Sequence, residues 1–60
     1  MCKFLVTYKN DQTEMVECTG GMEVKEGLYI FYDKNEEEFA PFKWVSIENS
    51  LNVELVEETA

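Results

Sequence analysis

The chain of 60 residues contains no histidine and no arginine, and it has only one proline and two cysteines. Histidine is the side chain that most often transfers protons near neutral pH, and arginine is the usual clamp for a phosphate or an oxyanion. Two cysteines without histidine cannot complete the four-ligand set of a structural zinc site. From these absences we expect no catalytic residues, no cofactor and no metal site.

Long apolar segments are absent as well. No run approaches the ~20 apolar residues that a membrane-spanning helix needs. The apolar run at residues 4–6 is also too short for the core of a signal peptide. Two cysteines in a chain without such a signal are typical of a reducing compartment with free thiols. We therefore expect a cytoplasmic protein with no membrane partner.

Positive charge is scarce in this chain. Thirteen Asp and Glu residues against five Lys residues give a net charge of -8, with -2 in residues 1–30 and -6 in residues 31–60. Proteins bind DNA, RNA or anionic lipid chiefly through Lys and Arg, so the sign of the charge excludes such direct contact. The charge suits a protein partner with a basic surface, for example one that handles nucleic acids.

The chain does contain material for a core. Apolar residues make up 45% of it and aromatic residues 13%, which excludes a disordered tail. We expect one small domain over residues 1–60. A chain of this length buries only roughly 60% of its unfolded surface. Its core therefore needs dense aromatic packing or the area that a homodimer would add.

Alternation of apolar and polar residues predicts short strands joined by turns. Strand patterns occupy residues 2–8, 14–18, 22–24, 28–32 and 37–42, with turns at residues 9–13, 19–21 and 33–36. The five consecutive β-favouring residues at 28–32 predict a central strand that is buried on both faces. Pro41 predicts that the strand containing it lies at a sheet edge.

The last third of the sequence has two interpretations. Trp44, Ile47, Leu51 and Leu55 have the spacing of one helix face, whereas Val45, Ile47, Val53 and Val56 are β-branched and favour strands. We favour the strands. The predicted fold is all-β, an antiparallel meander of five or six short strands that forms an SH3-like barrel or a bent sheet. The alternative is a β-sheet plus one C-terminal helix.

The same alternation predicts a core and a register. The predicted core consists of Phe4, Val6, Val16, Ile30, Phe31, Val45 and Ile47. Phe4 should lie opposite Val16 or Cys18, because a shift by one residue would set it against a glutamate. Either register places Cys2 and Cys18 on one face, where they could form a disulfide under oxidation. We interpret Cys18 as a small core residue and Cys2 as a terminal thiol.

The candidate binding residues are acids and one aromatic side chain. The predicted partner-binding set consists of Glu36, Glu37, Glu38, Trp44, Glu54, Glu57 and Glu58. Same-face residues of a strand repeat every ~6.6–6.8 Å, about the axial spacing of every second phosphate of DNA. Glu36 with Glu38, or Glu54 with its neighbours, could therefore imitate a phosphate backbone. Trp44 should point outward if Val45 points inward, and Tyr29 is the second candidate for an exposed aromatic anchor.

No residue motif connects the chain to a named family. In size, acidity and lack of catalytic groups it resembles the small proteins of phages and mobile elements that inhibit nucleases, DNA-repair enzymes or CRISPR effectors. This resemblance concerns the whole chain and assigns no residue. The sequence thus supports two hypotheses: an acidic, DNA-mimicking inhibitor of a nucleic-acid-binding protein, or a small homo-oligomeric interaction module.

Overall fold

The computed structural model describes residues 1–58, and these residues form six β-strands and no helix. The strands are β1 Cys2–Tyr8, β2 Thr13–Cys18, β3 Gly21–Lys25, β4 Leu28–Asn35, β5 Glu38–Ser46 and β6 Ser50–Glu58. The all-β prediction is confirmed. The C-terminal region forms a strand rather than the helix of the alternative interpretation.

The strands are arranged as two three-stranded sheets. The first has the order β2-β1-β6, the second has the order β3-β4-β5, and every pairing is antiparallel. The apolar strand β4 is the centre of the second sheet, as its sequence predicts. Strand β5 contains Pro41 and lies at an edge, where a residue without an N–H group costs no ladder hydrogen bond.

The first hairpin has the predicted register. Phe4 lies opposite Val16, and Cys2 lies directly opposite Cys18. Both cysteines are free, Cys18 is buried and Cys2 is half-buried. The prediction that Cys18 serves as a core residue is confirmed.

The core lies between the two sheets. Six buried side chains form one cluster, namely Phe4, Val6, Val16, Cys18, Phe31 and Val45. Phe31 of β4 is fully buried, and its ring meets that of Phe4 of β1 edge-on, with the centroids 5.5 Å apart and the planes at 64°. This geometry is favourable for aromatic rings. One aromatic pair therefore joins the central strands of the two sheets.

Two of the predicted burial assignments need correction. Ile47 is only half-buried, because it lies beyond the end of β5 in the turn that leads to β6. Ile30 is buried as predicted, although it lies outside the cluster between the sheets. Tyr29 is not an exposed anchor, because it is half-buried and packs against that cluster.

The turn predicted at residues 33–36 is shorter in the structure, since β4 continues through residues 33–35. These residues pair with residues 38–40 of β5, and they also contact the corner after β2. The Asp33 carboxylate accepts a hydrogen bond from the Thr19 N–H at 3.3 Å, and the Lys34 N–H donates to the Thr19 hydroxyl at 2.8 Å. The chain reverses one step later, where Glu36 adopts a left-handed conformation with φ of 56°.

Gly20 allows this corner to approach the second sheet. Its N–H donates to the Tyr32 carbonyl at 2.8 Å. A Cβ at this position would lie 3.0 Å from that carbonyl oxygen and 3.0 Å from the Phe39 ring. Contacts this short are tighter than nearly all real Cβ contacts, so a side chain here would force the Tyr32 backbone or the Phe39 ring to shift.

Candidate binding surfaces

The outer face of the first sheet carries a group of acids. Even-numbered residues of β1 face the core, so Lys3 and Leu5 lie on the outer face. Lys3 pairs with Glu17 of β2 and with Glu57 of β6, and Leu5 pairs with Glu54 of β6. We call these five residues the acidic face.

A β-bulge determines the spacing of the two acids on β6. Glu54 and Glu57 are three residues apart, so in a regular strand they would point to opposite faces. A register shift between Lys3 and Phe4 inserts one extra residue, and both acids then lie opposite outer-face residues of β1. Their partners on β1 are two residues apart, which puts the acids about 6.7 Å apart. Glu17 and Glu57 lie on the two strands that flank β1, so their Cα atoms are about 9.5 Å apart.

Lys3 holds two of these acids in place. Its Nζ lies 3.4 Å from Glu57 Oε2 and 3.8 Å from Glu17 Oε1. The two carboxylate side chains are 51% and 55% exposed, so each ion pair is worth at most about 1 kcal/mol. Three acids and one lysine leave the acidic face with a charge of -2.

The other predicted acids lie elsewhere. Glu36, Glu37 and Glu38 are exposed at the hairpin between β4 and β5, in the second sheet. The prediction that Glu36 and Glu38 form a row along one strand is wrong, because Glu36 is in the reversing loop. Glu58 lies opposite Cys2, so it belongs to the core-facing side of β6. The structure therefore brings only Glu54 and Glu57 of the predicted acids onto one face.

The outer face of the second sheet is aromatic. Tyr29 and Phe31 of β4 face the core, so the even-numbered residues of β4 face outward. Their partners across the sheet complete the surface, which we call the aromatic face and which contains Glu23, Ile30, Tyr32, Lys34, Phe39, Pro41 and Trp44. Trp44 is 54% exposed and Phe39 is 57% exposed. The prediction that Trp44 points away from the core is confirmed.

Neighbouring side chains on the aromatic face contact one another. The Tyr32 hydroxyl donates to Glu23 Oε1 at 3.1 Å, and Lys34 Nζ lies 5.6 Å from the centre of the Phe39 ring. Desolvation and the hydrogen bond to Glu23 both raise the pKa of Tyr32. Ile30 is only 8% exposed although it is outside the core cluster, so side chains on its own face supply its burial.

A third group of charged residues connects the two sheets. The Tyr8 hydroxyl donates to Glu14 Oε1 at 2.6 Å, and Lys43 Nζ lies 2.9 Å from Glu14 Oε2. The hydrogen bond from Tyr8, followed by that from Lys43, lowers the pKa of Glu14. The hydrogen bond to Glu14 raises the pKa of Tyr8 to about 12. Glu14 therefore stays ionised and Tyr8 stays protonated near neutral pH, so their contacts can hold β1, β2 and β5 together.

Within residues 1–58, no cluster of three or more Cys, Asp and Glu side chains is arranged to hold a metal ion. The same residues include no helix that is long and apolar enough to cross a membrane. Burial raises the pKa of the Cys18 thiol, which keeps it protonated and unreactive near neutral pH.

No protein-family model matches the chain, and searches of the curated proteins and of the solved structures likewise found no match.

Two members of the acidic face, Lys3 and Glu17, are absent from the predicted site. The signal for them was present, because the register that sets Phe4 opposite Val16 also sets Lys3 opposite Glu17. The approach of Glu57 to Lys3 had no such signal. It depends on the pairing of β1 with β6 and on the bulge in that pairing.

Proposed function

We propose that the protein is a non-enzymatic binding protein whose acidic face occupies a basic, nucleic-acid-binding site on another protein. It would act as an inhibitor that imitates DNA, in the manner of the small phage and mobile-element proteins that block host nucleases or CRISPR effectors. Direct contact with nucleic acid or membrane is no part of this proposal.

The observation that carries the proposal is the geometry of the acidic face. The register places the Cα atoms of Glu54 and Glu57 about 6.7 Å apart along one side of β6, and successive phosphates of one DNA strand lie about 3.4 Å apart along the axis. Along the strand, the two residues therefore have the axial spacing of every second phosphate. Glu17 adds a third negative charge across the sheet, and Lys3 orients it together with Glu57.

The charge of the whole chain supports the same conclusion. A net charge of -8 on 60 residues attracts a basic surface over a long range and increases the rate of encounter. Strand β6 contains three glutamates and no lysine, so its second half, from Glu54 onward, presents a negative edge of the sheet. Salt screens such attraction, so binding should weaken as the ionic strength rises.

One further observation agrees with a binding role. The pKa of Glu14 is lowered and that of Tyr8 is raised to about 12, whereas a general acid or base works best when its pKa lies near the working pH.

The test is capture of partners from a nuclease-treated bacterial lysate on the immobilised protein, with two charge-matched variants. Glu54→Gln/Glu57→Gln alters the acidic face, and Glu36→Gln/Glu37→Gln removes the same charge from the β4–β5 hairpin. We expect the intact chain to capture a nucleic-acid-handling protein that double-stranded DNA and added salt both displace. The β6 variant should lose this partner, and the hairpin variant should keep it.

Three results would contradict the proposal. The first is that no nucleic-acid-handling protein is recovered. The second is binding that is indifferent to salt or to competing DNA. The third is an equal loss of binding in the two variants, which would assign the effect to net charge rather than to the acidic face. Circular dichroism of both variants provides the folding control, and exposed substitutions of this kind should change the stability little.

A further inference from the structure

We infer that the aromatic face is the contact surface for a second copy of this chain, so that two protomers pack the outer faces of their second sheets together. The inference is independent of the proposed function, because the acidic face belongs to the other sheet. A face-to-face contact of this kind places the two sheets about 10 Å apart.

Charge is the first argument for a second copy. Two chains that each carry -8 repel each other, and they can associate only where the local charge is not negative. The aromatic face contains one acid, Glu23, and one lysine, Lys34, so it has no net charge. A lysine of one protomer can therefore pair with Glu23 of the other. The acidic face, at -2, offers no such contact.

The polarity of the face is the second argument. Phe39 and Trp44 expose more than half of their surface, and both lie on the same side of the sheet as Ile30 and Tyr32. The Tyr32 hydroxyl already has a hydrogen-bond partner in Glu23, so its burial leaves no unsatisfied donor. A contiguous aromatic surface of this kind on a small protein is typical of an interaction site.

The β5 edge is less suited to self-association than the face. Pro41 has no N–H group to donate, and a register shift beside Tyr32 disturbs the strand at the same place. Natural edge strands use both devices to prevent the addition of another strand. A contact through the side chains of the aromatic face does not require unpaired backbone N–H and C=O groups.

The size of the face predicts a weak dimer. Three strands spaced by about 4.8 Å, and the five residues from Ile30 to Lys34 at about 3.3 Å each, give a footprint of about 14 by 17 Å. A contact of this size is smaller than a standard specific interface, so we expect a weak dimer that dissociates in the micromolar range. Such a dimer would leave the acidic faces of both protomers exposed, and two joined sites bind an extended partner more tightly than one.

The test is sedimentation velocity of the full chain in reducing buffer, from about 10 μM to about 1 mM, the range in which so small an interface dissociates. Trp44 is the only tryptophan, so its fluorescence emission reports on this face directly. We expect the sedimentation coefficient to rise from monomer to dimer, with a parallel blue shift of the emission. Added salt should strengthen the dimer by screening the repulsion, whereas it should weaken the binding of a basic partner.

Two variants with the same added charge locate the interface. Trp44→Glu places an acid on the aromatic face, and Leu51→Glu places one on β6, where Leu51 is 61% exposed. Trp44→Glu should raise the dissociation constant of the dimer at least about tenfold, as expected for an aromatic anchor, and Leu51→Glu should change it little. Phe39→Glu is a second interface variant in case Trp44→Glu does not fold.

A chain that stays monomeric at about 1 mM, above the range expected for this contact, overturns the inference. A dimer that is equally weakened by Leu51→Glu and Trp44→Glu also overturns it, since general charge repulsion would then explain the effect. So does a dimer whose formation leaves the Trp44 emission unchanged.

Discussion

Oxidation of the paired cysteines should lock the first hairpin and stabilise the protein. Cys2 and Cys18 are direct partners in an antiparallel ladder, where opposite Cα atoms lie about 4.5–5.5 Å apart. Disulfides form at Cα separations of about 4.4–6.8 Å, so the backbone needs no movement. Hydrogen peroxide converts the more accessible Cys2 thiol to a sulfenic acid with release of water. The Cys18 thiol then displaces a second water as the sulfur–sulfur bond forms.

The size of the effect follows from the loop that is closed. Residues 2–18 comprise 17 residues, and closing a loop of this length stabilises the folded state by about 3 kcal/mol through the entropy of the unfolded chain. For a domain of this size each kcal/mol raises Tm by about 4–8 °C, so we expect a rise of about 12–24 °C. The buried Cys18 thiol has a raised pKa, so the reaction should be slow at neutral pH and faster above it.

Thermal unfolding followed by circular dichroism, with and without peroxide, measures this effect. Mass spectrometry under non-reducing conditions confirms that two thiol hydrogens are lost within a single chain. Cys2→Ser is the control, since it leaves Cys18 in the core and should unfold at the same temperature before and after oxidation. The reasoning is refuted if peroxide yields no intramolecular disulfide, or if the disulfide forms and Tm does not rise.

Three further predictions concern the fold. Phe31→Ala should lower the free energy of unfolding by about 3–5 kcal/mol, which is most of the stability of a chain of this size, whereas Phe39→Ala at an exposed site should lower it far less. Urea titration of the two variants measures this difference. Gly20→Ala should lower the free energy of unfolding by about 1–3 kcal/mol through contacts at 3.0 Å, and no loss at this position would contradict the packing argument. Gly21→Ala meets no atom within 4 Å and should lose only about 1–2 kcal/mol, through the strain of its φ of +86°. The folded-state pKa of Glu14 lies below its unfolded value, so its contribution is complete above about pH 4.3 and is lost as the pH falls through the folded pKa. Denaturation of Glu14→Gln and the intact chain at several pH values should therefore show a stability difference that disappears in acid.

Much of this architecture was predictable from local pattern. Alternation with a period of two depends only on which side chains avoid water, so it placed Phe4, Val16 and Phe31 in the core and Trp44 outside it. Pro41 identified an edge strand through its missing N–H group. The acid surplus and the lack of histidine and arginine are likewise properties of the sequence, and the proposal of a basic partner depends on them.

The candidate site, in contrast, depends on contacts between distant parts of the chain. Lys3 meets Glu57 because β1 pairs with β6, and a bulge in that pairing turns Glu54 and Glu57 to one face. Residues 33–35 pair with β5, and Thr19 from another part of the chain forms hydrogen bonds with Asp33 and Lys34 of this segment.

The all-β class, most of the core and the net charge follow from neighbouring residues and from composition. The division of the acids between two sheets, and the position of the exposed aromatics on a face with few acids, follow from the pairing of distant strands. Strand pairing and register are chosen by the burial of whole faces, and a local pattern does not contain the information for that choice.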